Sequence, residues 1–203
     1  MKVTWLGDAG LSFENDRARV FVNSAQEGAD ILLFTSACHL SVDAVAAVLE
    51  KNPEALVLAC RSAFDALAAL SEKYNIVPIS AHSVYSEKNV TFYAVRAEGA
   101  DKDAAGFIID DGNRTYYVSG ETLYNYDVLD DVLELVEDGV NYAFLPINGR
   151  GGCMNAKDAA DFAYELGAEH AIPLWYGARP GDPDAFDFEE GKIVLLPNKA
   201  LEL

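Results

Sequence analysis

Short runs of apolar residues, alternating or continuous, punctuate the first third of the chain. Lys2–Trp5, Leu11–Glu14 and Arg19–Val22 read as strands, bounded by turn formers such as Gly7, Gly10, Asn15 and Asp16. Ile31–Phe34 and Ala55–Ala59 are wholly apolar, as strands buried on both faces are. Between them Ser41 is placed to cap a helix reaching about Lys51. Ser62, with Asp65 at the third helical position, predicts a second helix carrying Phe64, Leu67, Leu70 and Tyr74 on one face.

The middle returns to strand patterns at Val90–Ala97, Ala105–Asp110 and Arg114–Val118. The tight turn Asp111-Gly112-Asn113 joins the last two. Leu129, Val132, Leu133 and Val136 then recur at i, i+3, i+4, i+7, an amphipathic helix. Tyr142–Leu145 is a buried strand. Asn155 caps a helix that turns Ala159, Phe162, Ala163 and Leu166 inward and stops at Gly167. Ala171–Leu174 and Ile193–Leu196 read as the last strands. The same order occurs twice: strands first, then strand and helix in alternation. That pattern predicts two packed sheets with helices outside each, an α/β protein of αββα layers forming one domain over residues 1–203.

Composition agrees with such a core, since 51% of residues are hydrophobic and 24% charged. Charge adds more. Lys and Arg total 15 against 33 Asp and Glu, a formal charge of −18. So acidic a protein is repelled by nucleic-acid phosphates and anionic lipid, which excludes both as expected partners. The opening residues lack a basic segment followed by an apolar one, and no apolar run approaches the roughly 18 residues of a membrane span. Three cysteines, Cys38, Cys60 and Cys153, stand in unrelated contexts and suit a reducing cytoplasm better than a disulfide framework.

Met1-Lys2-Val3-Thr4-Trp5-Leu6-Gly7 resembles the opening of the metallo-β-lactamase superfamily, in the branch of small hydrolases similar to ascorbate-6-phosphate lactonase. Further resemblances follow in the family's order: Thr91–Ala97, then Gly106–Ile109, then Tyr116-Tyr117-Val118-Ser119-Gly120-Glu121-Thr122. Leu145-Pro146-Ile147-Asn148-Gly149-Arg150-Gly151 with Met154-Asn155 is the most specific, and Ile172-Pro173-Leu174-Trp175-Tyr176 is the last. The resemblance implies the αββα sandwich and, in the family, a zinc or manganese centre.

The implied ligand positions are largely replaced. Where the family has Thr-His-x-His-x-Asp-His, this chain has Thr35-Ser36-Ala37-Cys38-His39-Leu40-Ser41. The ligand positions are therefore Ser36, Cys38, Leu40 and Ser41, and His39 stands on an x position expected to point elsewhere. Gly99 takes the place of the next His, Glu121 of the bridging Asp, and Trp175 of the last His; Asp8 and Asn23 replace outer partners. Two-metal hydrolysis needs imidazoles and carboxylates around ions about 3.5–4 Å apart. Leu40 and Gly99 offer no donor, and the Trp175 indole offers only an N–H. No metal cofactor is expected.

The remaining candidates have alternative readings. Cys38 beside His39 is either an activated thiol or a half-buried loop cysteine. Cys153 either joins Cys38 and Glu121 at one mouth or is a small loop residue, and Cys60 reads as core. Glu121 either serves a ligand, pairing with Arg150, or caps the turn after Gly120. Trp175 either plugs the old metal volume or stacks on a flat ligand. Asn148, Arg150 and Arg96, placed by the resemblance near the mouth, would orient a small anionic ligand. His82 and His170 match no ligand spacing, and His170 reads as surface; Asp101 belongs to a solvated turn. The expected function is a non-catalytic binding or assembly protein, as a homo-oligomer or beside an active paralogue. The alternative is a divergent hydrolase of a small ester, lactone or phosphorylated sugar.

Overall fold

The computed structural model describes residues 1–136, 139–174, 182–189 and 191–203. The chain opens with strands β1 (Lys2–Gly7), β2 (Gly10–Glu14), β3 (Arg19–Val22) and β4 (Ile31–Phe34), then helix α1 (Val42–Lys51). Next come β5 (Leu56–Cys60), the short helices α2 (Arg61–Ala66) and α3 (Ala68–Ser71), and β6 (Ile76–Ile79). The second half runs β7 (Val84–Glu87), β8 (Val90–Arg96), β9 (Ala105–Asp110), β10 (Thr115–Val118), α4 (Tyr126–Leu133), β11 (Tyr142–Pro146), α5 (Ala156–Glu165), β12 (His170–Leu174) and β13 (Ala200–Glu202). They build a seven-stranded sheet in the order β13-β1-β2-β3-β4-β5-β6 and a six-stranded sheet in the order β12-β11-β10-β9-β8-β7.

In the inner strands of the second sheet, period-two alternation sorts side chains between two cores. In β10, Tyr116 and Val118 face the other sheet, whereas Tyr117 faces the outer helices. Ile109 and Ile108 divide in the same way in β9, as do Phe144 and Ala143 in β11. Phe13 of β2 spans the sandwich and meets Tyr116 and Phe144 edge-on at 5.6 and 5.3 Å. Helices α1 and α2 pack on the first sheet through Val45, Leu49 and Ala63. Helices α4 and α5 cover the second through Val128, Val132, Phe162 and Ala163. This is the αββα sandwich that the periodicity predicts. Among the described residues no helix is long and apolar enough to cross a membrane.

Several local expectations need correction. Ile193–Leu196 forms no strand: only an isolated bridge joins Ala171 to Lys192, and Val194 and Leu196 are exposed. The terminal strand is β13, antiparallel to β1. Ser62 does not cap the second helix, which starts at Arg61; its hydroxyl instead donates to Asp101 Oδ2 at 2.5 Å. The helix also breaks at Leu67, which drops fully into the core. Strands β6 and β7 escape the periodicity. Each ends its sheet, one holding Pro78 and the other alternating polar residues, as edge strands do.

Candidate functional site

Loops leaving β1, β4, β10 and β11 converge on a cleft of about 290 Å³ lined by Asp8, His39, Glu121, Asn148, Arg150, Gly151 and Cys153. Each wall has a local cause. The chain leaving β4 is held by Asn23, a buried residue at φ +50 whose Oδ1 accepts the Thr35 N–H at 2.9 Å and whose Nδ2 donates to Thr35 Oγ1 at 2.9 Å. It then enters a 3-10 turn, Ala37–His39. Successive side chains in such a turn rotate by about 120° rather than alternate. His39, expected to point elsewhere, therefore enters the cleft.

The hydroxyls of Ser36 and Ser41 are engaged locally. Ser36 Oγ accepts the Cys38 N–H at 3.1 Å and caps the 3-10 turn. Ser41 Oγ accepts the Ala44 N–H at 3.3 Å and caps α1. Leu40 packs half-buried on the core. Asp101 is not simply solvated: it ties this turn to α2, accepting from Ser62 and from the Ala37 N–H. Burial alone would raise its carboxyl, but the hydrogen bonds from Ser62, Asp103 and Ala37 outweigh that and hold it below the usual range.

Glu121 follows β10 across a crowded junction. Gly120 has φ +67, and a Cβ there would come within 2.9 Å of Thr35 Cβ. Gly99 lies against the Glu121 backbone, where any Cβ would fall 2.4 Å from the carbonyl oxygen. No side chain, and so no histidine, fits at position 99 without moving that backbone. Thr122 fastens the junction, its hydroxyl accepting the Glu98 N–H at 3.0 Å and its carbonyl the Met154 N–H at 2.9 Å. Glu121 does not pair with Arg150. Its Oε1 lies 3.2 Å from His39 Nε2, with the two side chains 14% and 21% exposed. Its Oε2 is buried without a hydrogen-bond partner among the described residues.

Cys153 forms part of the floor, buried beside Ala9. Burial, reinforced by the neighbouring Glu121 and Cys38 charges, pushes its thiol up to about 12. Cys153 and Glu121 both line the cleft. Cys38 is exposed rather than half-buried, because it sits on the outside of the 3-10 turn. Cys60 is buried at the end of β5, as expected. Asn148 Oδ1 accepts the Arg150 N–H at 3.3 Å, while the Arg150 side chain stands exposed.

Arg96 is not at this mouth. It ends β8 on the side facing α4, with its guanidinium 3.7 Å from Glu98 and 3.7 Å from Asp127. Its N–H donates to the buried Asp131 carboxylate at 2.6 Å, whose other oxygen lies 3.1 Å from His82 Nε2. His170 is not simply surface: its ring stacks on Tyr142 at 5.1 Å. Trp175, expected as a plug or a platform, lies outside the described residues.

Among the described residues the donor set does not suit a dinuclear metal centre. Position 40 is aliphatic, position 99 has no room for a side chain, and the Ser36 and Ser41 hydroxyls already accept backbone bonds. Among the described residues no group of three or more His, Cys, Asp or Glu is placed to hold a metal ion. His39, Glu121, Arg150 and Asn148 remain able to donate and accept hydrogen bonds.

No protein-family model matches the sequence, and no curated protein does. Solved structures do match. The metallo hydrolase Igni18 of the archaeon Ignicoccus hospitalis superposes with a TM-score of 0.80 at 16% identity, covering 100% of this chain and 98% of that one. The metallo-β-lactamase fold protein YhfI of Bacillus subtilis gives 0.77 at 13% identity, covering 99% of each. An isothiocyanate hydrolase from Delia radicum gut bacteria gives 0.73 at 13%, covering 100% and 99%. These likenesses establish the metallo-β-lactamase fold, and the sequence resemblance pointed to the same architecture.

Proposed function

We propose that this chain is a cytoplasmic small-molecule-binding protein on a metallo-hydrolase fold, with no dinuclear metal centre and no two-metal hydrolysis. The observation that carries this reading is the His39–Glu121 contact of 3.2 Å inside the cleft. The carboxylate at the bridging position faces an imidazole supplied from a non-ligand position, while the neighbouring hydroxyls cap helices. The cleft nonetheless keeps a concave shape with charged and hydrogen-bonding groups on its walls, the general form of a ligand site.

A second reading has one observation in its favour. A carboxylate that orients an imidazole is the arrangement of a general base, so the same pair could activate water for hydrolysis of a small ester or lactone. Elemental analysis after extensive dialysis without chelator separates the main reading from a metalloenzyme. Zinc and manganese are expected far below one ion per chain. A stoichiometric ion, lost on Glu121→Ala, would overturn the proposal. Ester, lactone and phosphodiester turnover is expected at the buffer rate. Turnover that survives repurification and falls with His39→Ala would establish the second reading instead.

A further inference from the structure

We infer that the cleft takes a zwitterion: a small molecule carrying a carboxylate and an ammonium group, an amino carboxylate in chemical class. The inference rests on the binding reading and names its ligand. Two residues of opposite sign line the cleft, Glu121 and Arg150. Glu121 Oε2 is buried and lacks a donor among the described residues. Native proteins seldom leave a buried carboxylate oxygen in that state, because withdrawing it from water without a hydrogen bond is costly. A donor brought by a ligand would satisfy it, and an ammonium would do so with opposite charge.

Arg150 supplies the other half. In a chain with 33 acidic residues against 15 basic ones, Arg150 lines the cleft and its guanidinium forms no ion pair among the described residues. A guanidinium matches a carboxylate through paired N–H donors. A ligand bearing anionic charge alone would meet Arg150 but face Asp8 and Glu121 as well, both of them lining residues. A purely cationic ligand would meet the carboxylates and be repelled by Arg150. Only a molecule with both charges suits both ends. The cleft volume of about 290 Å³ suits a compact molecule rather than a folded partner. This departs from the simple anion expected when Arg96 and Arg150 were both placed at the mouth, since Arg96 is held elsewhere by Glu98 and Asp127.

Isothermal titration of the full chain tests the inference with glycine, 4-aminobutyrate and lysine against butyrate, butylamine and inorganic phosphate at millimolar concentration. At least one amino carboxylate is expected to bind about tenfold more tightly than both butyrate and butylamine. Glu121→Gln should weaken that ligand by about tenfold or more, as removal of one charge-assisted bond does, and should not weaken butyrate, which loses a repelling carboxylate. Arg150→Gln, a change at an exposed residue, should weaken it similarly and should not weaken butylamine, which loses a repelling guanidinium. Butyrate or phosphate binding as tightly as every amino carboxylate would overturn the zwitterion and leave the binding reading in place. No heat from any probe would also overturn it. Stoichiometric metal in the same preparation would instead remove the binding reading on which it rests.

Discussion

Cys153 and Cys38 show how position decides the chemistry of one residue type. Cys153 is buried, and burial with the nearby Glu121 and Cys38 charges raises its thiol to about 12, so it carries almost no thiolate near neutrality. Burial raises Cys60 as well. Cys38 is exposed on the 3-10 turn. A thiol reagent near pH 8 is therefore expected to modify one cysteine in the native chain, lost in Cys38→Ser, and all three after denaturation. Rapid native modification of Cys153 would contradict its place in the cleft floor. The two adjacent residues Cys38 and His39 do not act as a pair by virtue of adjacency. The turn sends one outward and the other into the cleft.

At the scale of elements, the loop after β4 is a capping segment. Ser36 caps its 3-10 turn and Ser41 caps α1. Side-chain caps of this kind are worth about 1 kcal/mol each. Ser41→Ala is expected to lower the unfolding free energy in urea by about 1 kcal/mol and to leave titration of the cleft unchanged. Loss of cleft binding at unchanged stability would assign Ser41 to the site instead of to the helix. Asn155 plays the same part for α5, accepting the Asp158 N–H at 2.9 Å, and that cap is legible from its place before an apolar helical period. Ser62 has a similar sequence signature and is no cap. Its hydroxyl finds a stronger acceptor in Asp101, a carboxylate 39 residues away, which no local pattern reveals.

The whole molecule combines a charge of −18 with several buried acids that keep their protons. Burial raises Cys153 and Cys60, and it raises Tyr117 and Tyr116 too, with Asp131 and Asp111 adding to the effect on the tyrosines. The unfolded thiols ionise near their ordinary value, whereas the folded ones still hold their protons. Above about pH 9 the unfolded state therefore binds fewer protons, and stability falls as pH rises. The urea midpoint is expected to be flat from about pH 7 to 8 and to decline progressively above about pH 9. Cys153→Ala should make that decline shallower. A midpoint unchanged up to about pH 10.5 would show that these groups ionise as freely in the folded chain as in the unfolded one.

Hydrophobic periodicity by itself determined the layers: alternation along β9, β10 and β11 divides their side chains between two cores, and the helical repeat through Val132 and Phe162 gives α4 and α5 one apolar face each. Such patterns are local because burial acts on every residue of an element in turn. Sequence also marked two positions of the family resemblance whose side chains cannot ligate, since Leu40 is aliphatic and Gly99 has no side chain. The tertiary structure alone decided which groups meet. It brought His39 to Glu121, placed Cys153 beneath them, took Arg96 away to α4 and closed position 99 against a carbonyl oxygen. The edge strands β6 and β7 and the terminal β13 were likewise visible only in space. A site forms where loops from strands distant in the chain converge. Its geometry depends on turn rotation and on separations of an ångström or two, neither of which the order of apolar and polar residues encodes.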